Sequence, residues 1–88
     1  MQVEFTLRTA YKDGQFLYIG VGGEIDGVIN PDLLVSPGTV VKAILVIGDG
    51  MAHDLYFPDF SAQSELIGRL DQTSEITFTV DEIGRAHV

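Results

Sequence analysis

The run from Thr39 to Ile47 constrains the fold more than any other stretch, because its side chains are almost all apolar. Most of them are β-branched, which favours an extended strand over a helix. A Ser-Pro-Gly sequence at 36–38 precedes the run as a β-turn signal, and Gly48 and Gly50 follow it. The pattern therefore predicts a buried central strand with a tight turn at each end.

Other short apolar stretches with turn signals between them run along the rest of the chain. They predict strands at 3–8, 16–21, 32–35, 55–57 and 75–80, and another alternation begins at Arg85. The Asp13-Gly14 pair lies between the first two stretches and predicts a hairpin. With almost no helical pattern, the 88 residues are predicted to form one all-β domain, a Greek-key sandwich or barrel.

The connecting segments carry weaker signals. The only stretch compatible with a short helix is Ser61–Gly68, and polar turns are predicted at 71–74 and 81–84. The segment at 24–31 is irregular, because its Asp-Gly and Asn-Pro pairs favour turns. Its apolar residues Ile25, Val28 and Ile29 are expected to pack down on the core.

Composition excludes several classes of function. Thirteen acidic and five basic residues give a net charge of −8, which argues against binding nucleic acid or an anionic membrane surface. The chain has no cysteine, so it offers no disulfide, no thiolate nucleophile and no thiolate metal ligand. No signal-peptide pattern or membrane-length apolar run is present, and the cellular compartment stays open.

Catalytic motifs are missing as well. The Gly-Val-Gly-Gly stretch at 20–23 does not open a helix, so it does not predict a phosphate cradle. No nucleophile-elbow sequence occurs, and carboxylate pairs such as Glu24 with Asp26 lie in turns, where carboxylates are usually solvated. We therefore expect no enzyme activity.

One imidazole, His53, emerges directly from the glycine turn that follows the central run. A histidine at the rim of a β-fold is either a metal ligand or a structural residue, and one imidazole alone does not hold a metal ion. Met51 places a soft thioether two residues away. His87 is expected to face away from Ala86 and Val88, so a site shared by His53 and His87 is not expected.

Several of these stretches, in this order, resemble a cupredoxin domain. They are 18–31, Val-Ser-Pro-Gly-Thr-Val at 35–40, Gly-Asp-Gly-Met-Ala-His-Asp at 48–54, Ile-Thr-Phe-Thr-Val at 76–80, and Gly84. The chain is most similar to the cupredoxin modules of copper-containing nitrite reductases and multicopper oxidases, from about Phe5 to Gly84. The resemblance implies a Greek-key β-sandwich and a periplasmic or extracellular location.

The resemblance also implies a type 1 copper site for electron transfer, with two His, one Cys and usually an axial Met. Only His53 matches, as the first His ligand of the family. The family's Cys, second His and Met follow a turn equivalent to 81–84, and His87 precedes the place of the Cys. We therefore expect a cupredoxin-like sandwich that is truncated at its last strand, with an incomplete copper site.

These features leave three interpretations of function. The first is a cupredoxin-like domain that is redox-inactive alone and self-associates, or binds a partner, through the sheet edge that the missing strand would leave open. The alternative is a copper electron-transfer domain whose remaining ligands come from a partner or a longer parent chain. A third is a Cu(II) or Zn(II) site made by His53 with Asp54 or with a partner's histidine.

Overall fold

The computed structural model describes residues 2–57, 61–80 and 85–86, and nearly all regular structure in this part is β-strand. The strands are β1 (Gln2–Lys12), β2 (Gln15–Val21), β3 (Leu33–Leu34), β4 (Val40–Val46), β5 (Tyr56–Phe57), β6 (Ala62–Gln63), β7 (Thr73–Thr79) and β8 (Arg85–Ala86). One 3₁₀ turn covers Gly23–Ile25. The predicted all-β class is confirmed, and no helix in the described part is long and apolar enough to cross a membrane.

Four strands form the main sheet, in the order β2-β1-β4-β7. The first strand runs antiparallel to β2 and parallel to β4, and β4 runs antiparallel to β7. The apolar strand β4 therefore has a neighbour on each side, as its sequence predicts. Two short pairs, β3 with β8 and β5 with β6, lie outside this sheet.

The hairpin between β1 and β2 is confirmed. Its register pairs Lys12 with Gln15, which leaves Asp13 and Gly14 as the two loop residues. Both have positive φ, +52° and +79°, as a type I′ turn requires. An Asp-Gly sequence adopts this geometry at low cost, and the turn thereby fixes the pairing of the two strands.

The core lies on one face of the main sheet. Alternate residues of the strands point into it, including the fully buried Leu7, Val41 and Leu45. The short strands and their connections cover this face with a second set of buried side chains, which includes Leu33, Leu55, Phe57 and Ile67. The ring of Phe57 packs against that of Phe78 from the sheet, with centroids 4.7 Å apart.

The outer edge of β2 is covered by segment 26–30. The Gly20 N–H donates to the Val28 carbonyl at 2.9 Å, and the Asn30 N–H donates to the Tyr18 carbonyl at 2.6 Å. The Asn30 side chain also accepts the Tyr18 N–H at 3.0 Å. These bonds satisfy backbone groups that an edge strand otherwise presents to solvent.

This edge contact corrects one prediction. Ile25 packs against the core as expected, but Val28 and Ile29 are exposed. Their backbone runs along the rim of the sheet to bond with β2, so their side chains lie at the periphery rather than under the sheet. Backbone hydrogen bonding has determined the course of this segment, whereas the prediction considered only its hydrophobicity.

The predicted short helix at Ser61–Gly68 is wrong. The segment contains β6 and continues in extended form, because its backbone bonds to the stretch before it in the chain. The Ser64 N–H donates to the Leu55 carbonyl and the Leu55 N–H donates to the Ser64 hydroxyl, both at 2.8 Å. The predicted turn at 71–74 also ends early, since β7 begins at Thr73.

The expected strand at the end of the chain is present where the structure describes it, because β8 pairs with β3 in antiparallel register. The predicted turn at 81–84 and the expected facing of His87 lie outside the described residues.

Candidate metal-ligand site at His53

The turn after β4 brings the chain across the end of β1, and Gly48 makes this crossing possible. A Cβ atom at Gly48 would lie 2.2 Å from the Thr9 carbonyl oxygen and 2.7 Å from Nε of Arg8. Gly50 has a φ of +70°, a conformation that side chains disfavour. The glycine turn predicted from the sequence is therefore confirmed, and each glycine has a separate geometric reason.

His53 is held by the carboxylate of Asp49. Nε2 of the imidazole lies 2.8 Å from Oδ2 of Asp49, and the two side chains are only 13% and 6% exposed. The other carboxylate oxygen of Asp49 accepts the Thr9 hydroxyl at 3.1 Å and the Met51 N–H at 3.0 Å. The hydroxyl of Thr9 in turn accepts the Gly48 N–H at 2.9 Å. A connected network thus links the sheet to the imidazole.

The charge state of Asp49 assigns the protons. Burial raises the pKa of Asp49, but the hydrogen bonds from Met51, His53 and Thr9, with the attraction of a protonated His53, outweigh it and leave the pKa below its usual value. An ionised carboxylate only accepts hydrogen bonds, so the imidazole donates from Nε2. In the neutral ring the lone pair is then on Nδ1.

The free nitrogen, Nδ1, is the one that matters for a ligand. No hydrogen bond to it occurs within residues 2–57, 61–80 and 85–86. In that same part of the chain, no buried side-chain nitrogen or oxygen lacks a partner. Nδ1 is therefore not sealed inside the protein, and it presents an unused lone pair at the surface.

Packing fixes the plane of the ring. The backbone of His53 pairs with Ile67 through two hydrogen bonds of 2.8 and 3.0 Å. The rings of Phe16 and Tyr18 contact the imidazole in edge geometry, at centroid distances of 5.3 and 6.4 Å. Phe16 also contacts Tyr11, and these two rings are 52% and 57% exposed, so the imidazole lies beside an apolar surface.

Tyr18 acts as a fixed donor beside the ring of His53. Its hydroxyl donates to the Asp54 carbonyl oxygen at 2.6 Å. Burial, together with the negative charges of Asp54 and Asp49, raises the pKa of Tyr18. The phenol therefore keeps its proton and holds the 53–54 backbone in place.

The remaining candidates do not join His53. The carboxylate of Asp54 accepts the Gln63 side-chain amide at 2.6 Å. The side chain of Met51 is exposed, and its backbone N–H is bound to Asp49. No cluster of three or more His, Cys, Asp or Glu able to hold a metal occurs among the described residues, and His87 lies outside them.

Sequence reasoning identified His53 but missed Asp49 and Thr9. The available signal for Asp49 was its position inside the Gly-Asp-Gly turn, four residues before the histidine. Thr9 offered none, since it is forty residues from Asp49 and only the strand register brings the two together. Comparison with known proteins adds no family to this geometry: no protein-family model and no curated protein matches the chain.

Proposed function

We propose that the chain is a cupredoxin-like domain that is redox-inactive alone and acts by association, with His53 as its single ligand to an incomplete type 1 copper site. The observation that carries the proposal is the Asp49–His53 pair, which leaves Nδ1 free. Histidines that bind metals commonly donate their other ring N–H to a carboxylate, which sets the tautomer and orientation of the ring. Asp49 has this relation to His53.

The arrangement of layers supports the sandwich part of the proposal. The short sheets form a second layer over the core face of the main sheet, which is consistent with a sandwich. The main sheet is mixed, because β4 runs parallel to β1, whereas the strands of a Greek key are antiparallel. The Greek-key connection is therefore proposed from the resemblance of the sequence motifs alone.

The metal ligands that the sequence offers support the proposal that the chain alone is redox-inactive. A type 1 copper site needs a thiolate and two imidazoles, and the 88 residues contain no cysteine. The residues present therefore do not complete such a site. His53 would supply one nitrogen ligand, and the other ligands would have to come from another source.

We propose that a second copy of the chain pairs with the outer edge of β7. The Val80 N–H donates to the Thr39 carbonyl, so by alternation the residues at 74, 76 and 78 bond to β4. The backbone groups of the residues between them, at 73, 75, 77 and 79, therefore point away from the sheet. Among the described residues no strand pairs with this edge, whereas the β2 edge is covered.

Two measurements test this proposal. Light scattering behind a sizing column is expected to give a dimer or larger oligomer, and a monodisperse monomer at high concentration would contradict self-association. Titration with Cu(II), followed by paramagnetic broadening in NMR spectra, is expected to affect residues around His53 first. The variant His53→Asn should lose that broadening and the control His87→Asn should keep it, whereas broadening that survives in His53→Asn would refute the ligand role.

The alternative is a copper electron-transfer domain whose other ligands come from a partner or a longer parent chain, and the free Nδ1 of His53 favours it equally. Voltammetry of the chain with one equivalent of copper separates the two. The main proposal predicts no reversible one-electron couple for the chain alone. A reversible couple that disappears in His53→Asn would support the alternative instead.

A further inference from the structure

A groove of about 760 Å³ lies beside the first residues of β1, at the other end of this strand from Thr9 and the His53 network. Its lining includes four consecutive residues of β1, at 3–6, together with segment 21–25 and residues 35–36. A groove that follows one strand residue by residue is lined by the edge of that strand. It can hold an added strand if this edge has free hydrogen-bonding groups.

Strand lengths create the gap. β2 pairs with β1 only from Thr6 opposite Val21 to the hairpin, whereas β4 pairs with β1 from Gln2 onward. The four residues before Thr6 therefore have a strand neighbour on one side only, within the described part of the chain. An edge of this kind can accept an added strand.

The direction of the backbone groups follows from the covered edge of β2. Tyr18 and Gly20 bond to segment 26–30, on the side away from β1. Their register partners Thr9 and Leu7 consequently direct their own groups toward β4. Alternation along the strand then turns the N–H and C=O of Glu4 away from β4 and toward the groove.

The chain after β2 is held away from this edge. Gly22 and Gly23 have positive φ, +78° and +63°, and the Asp26 carboxylate accepts the Gly22 N–H at 2.8 Å. Gly20 allows the returning chain to pack closely, because a Cβ there would lie 2.0 Å from the Ile25 carbonyl oxygen. The local turn thus keeps the space beside Glu4 open.

The chemistry of the lining identifies the kind of occupant. Val3, Phe5, Ile25 and Val35 supply apolar surface that continues into the core cluster. Among the residues that the structure describes, the charged residues of the lining are Glu4 and Glu24, and none is Lys, Arg or His. Lys42 neutralises Glu4 only weakly, because its ammonium lies 4.0 Å from Glu4 and 3.4 Å from Glu75. The acidic residues of this lining favour a partner that brings basic side chains to the groove.

We propose that this groove binds an extended segment of a different protein, which adds as a strand to Gln2–Phe5 and bonds to the backbone of Glu4. The segment places apolar side chains against Val3 and Phe5 and basic side chains beside Glu4 and Glu24. The inference rests on the proposed function, because it specifies a partner for a domain that acts by association. It concerns a different edge from the one assigned to self-association.

The test uses the full chain and three capped octapeptides. One alternates valine with lysine, the second alternates valine with glutamate, and the third repeats the first with N-methyl groups on all of its peptide nitrogens. We expect the lysine peptide to bind about tenfold more tightly than the glutamate peptide, and N-methylation to weaken its binding by a similar factor. Binding should shift the NMR signals of residues 3–6 and 21–25 and slow hydrogen exchange at the Glu4 amide.

The double variant Glu4→Gln with Glu24→Gln is expected to reduce the preference for the lysine peptide to about twofold. Its matched control, Glu65→Gln with Asp13→Asn, removes the same charge at exposed positions outside the groove and should keep the preference. Circular dichroism of both variants checks that the fold is intact.

Four results would overturn the inference: no saturable binding, equal binding of the lysine and glutamate peptides, undiminished binding of the N-methylated peptide, or signal shifts centred at β7 or His53. Shifts of residues 3–6 that depend on protein concentration alone would also overturn it, since a second copy would then fill the groove. The proposed function fails separately, through a monomeric mass or a Cu(II) response independent of His53.

Discussion

The two ends of β1 differ in how their hydrogen-bonding groups are used. From Thr6 onward the strand has β2 on one side, and Thr9 is buried in the network that holds Asp49 and His53. From Gln2 to Phe5 the same strand borders an open groove. One continuous strand therefore supports a rigid polar site at one end and leaves an open edge at the other.

The difference has a simple origin in strand length. β1 has eleven residues and β2 has seven, so the hairpin cannot cover the whole strand. At the covered end, the glycine turn after β4 brings Asp49 against Thr9. At the open end, the turn at 22–23 directs the chain away from β1. The two glycine turns therefore determine which end of β1 is covered by other parts of the chain.

The largest effect on stability is expected from a substitution at the end of β1 that β2 and the Asp49 network cover. Gly48→Ala would force a Cβ against the Thr9 carbonyl oxygen, and we expect a loss of about 3 kcal/mol or more in the free energy of unfolding, or failure to fold. The matched control is Gly23→Ala at the open end, where φ is +63° but no atom lies within 4 Å of the new Cβ. That change should cost about 1 kcal/mol. Urea denaturation measures both, and equal losses would contradict the comparison.

A second, smaller effect is expected from Asp49→Asn, which replaces an acceptor-only group that serves Thr9, Met51 and His53. We expect a loss of about 2 kcal/mol in the free energy of unfolding, because the amide has one acceptor oxygen instead of two and turns an NH2 donor toward a largely buried partner. Asp26→Asn, which alters the Gly22 contact at the surface, should cost about 0.5 kcal/mol. Urea denaturation of the two variants measures the difference, and a larger loss for Asp26→Asn would contradict the ranking.

The same variant has a spectroscopic consequence. In the parent chain, neutral His53 should carry its proton on Nε2, which long-range ¹H–¹⁵N NMR spectra of the imidazole detect. In Asp49→Asn we expect a mixture of the two tautomers, because the carboxylate no longer selects one. An unchanged Nε2–H tautomer in the variant would show that Asp49 does not orient the ring.

The stability that Asp49 contributes also depends on pH. The pKa of Asp49 is lower in the folded chain than in the unfolded chain, so its ionised form stabilises the fold. This contribution is fully present above the unfolded pKa and is lost as pH falls through the folded pKa. The stability difference between the parent and Asp49→Asn should therefore shrink as pH falls from the usual Asp range through the lowered pKa of Asp49. A difference that grows as pH falls through that acid range would refute the assignment.

The smallest effect on stability is expected at an ion pair on the solvent-facing side of β1, in the part of the strand that pairs with β2. Arg8 and Asp71 lie 3.0 Å apart, but their side chains are 42% and 70% exposed. Solvent screens such a pair, so Arg8→Gln should change the free energy of unfolding by less than about 0.5 kcal/mol. Thermal melts at low and high salt measure it, and a loss above about 1 kcal/mol would give this pair a larger role than we assign.

The sequence predicted those parts of the structure that depend on local patterns. Alternation predicted β1 and β7, aromatic and β-branched residues predicted β2, the apolar run predicted β4, and an Asp-Gly pair predicted the hairpin. Non-local pairing produced the errors. Segment 26–30 follows the β2 edge, and 61–68 is extended because Ser64 bonds to Leu55.

The candidate site was predictable only in part for the same reason. His53 stood out by residue type and by its position after the glycine turn. Asp49, which sets the tautomer of His53, is near it in sequence. Thr9, which bonds to Asp49, is distant in sequence and is brought close only by the pairing of strands in the sheet. The groove beside Glu4 depends on where β2 stops pairing with β1, which no local signal reveals.

Residue-resolved amide hydrogen exchange along β1 distinguishes the part of the strand that β2 covers from the part that it leaves open. We predict slow exchange at Arg8, which faces β2, and at Phe5, which faces β4, with fast exchange at Glu4. This alternation is the signature of a strand sealed at one end and open on one side at the other. Protection of Glu4 equal to that of Arg8 and Phe5 in the isolated monomer would contradict the account, because the edge would then already be paired.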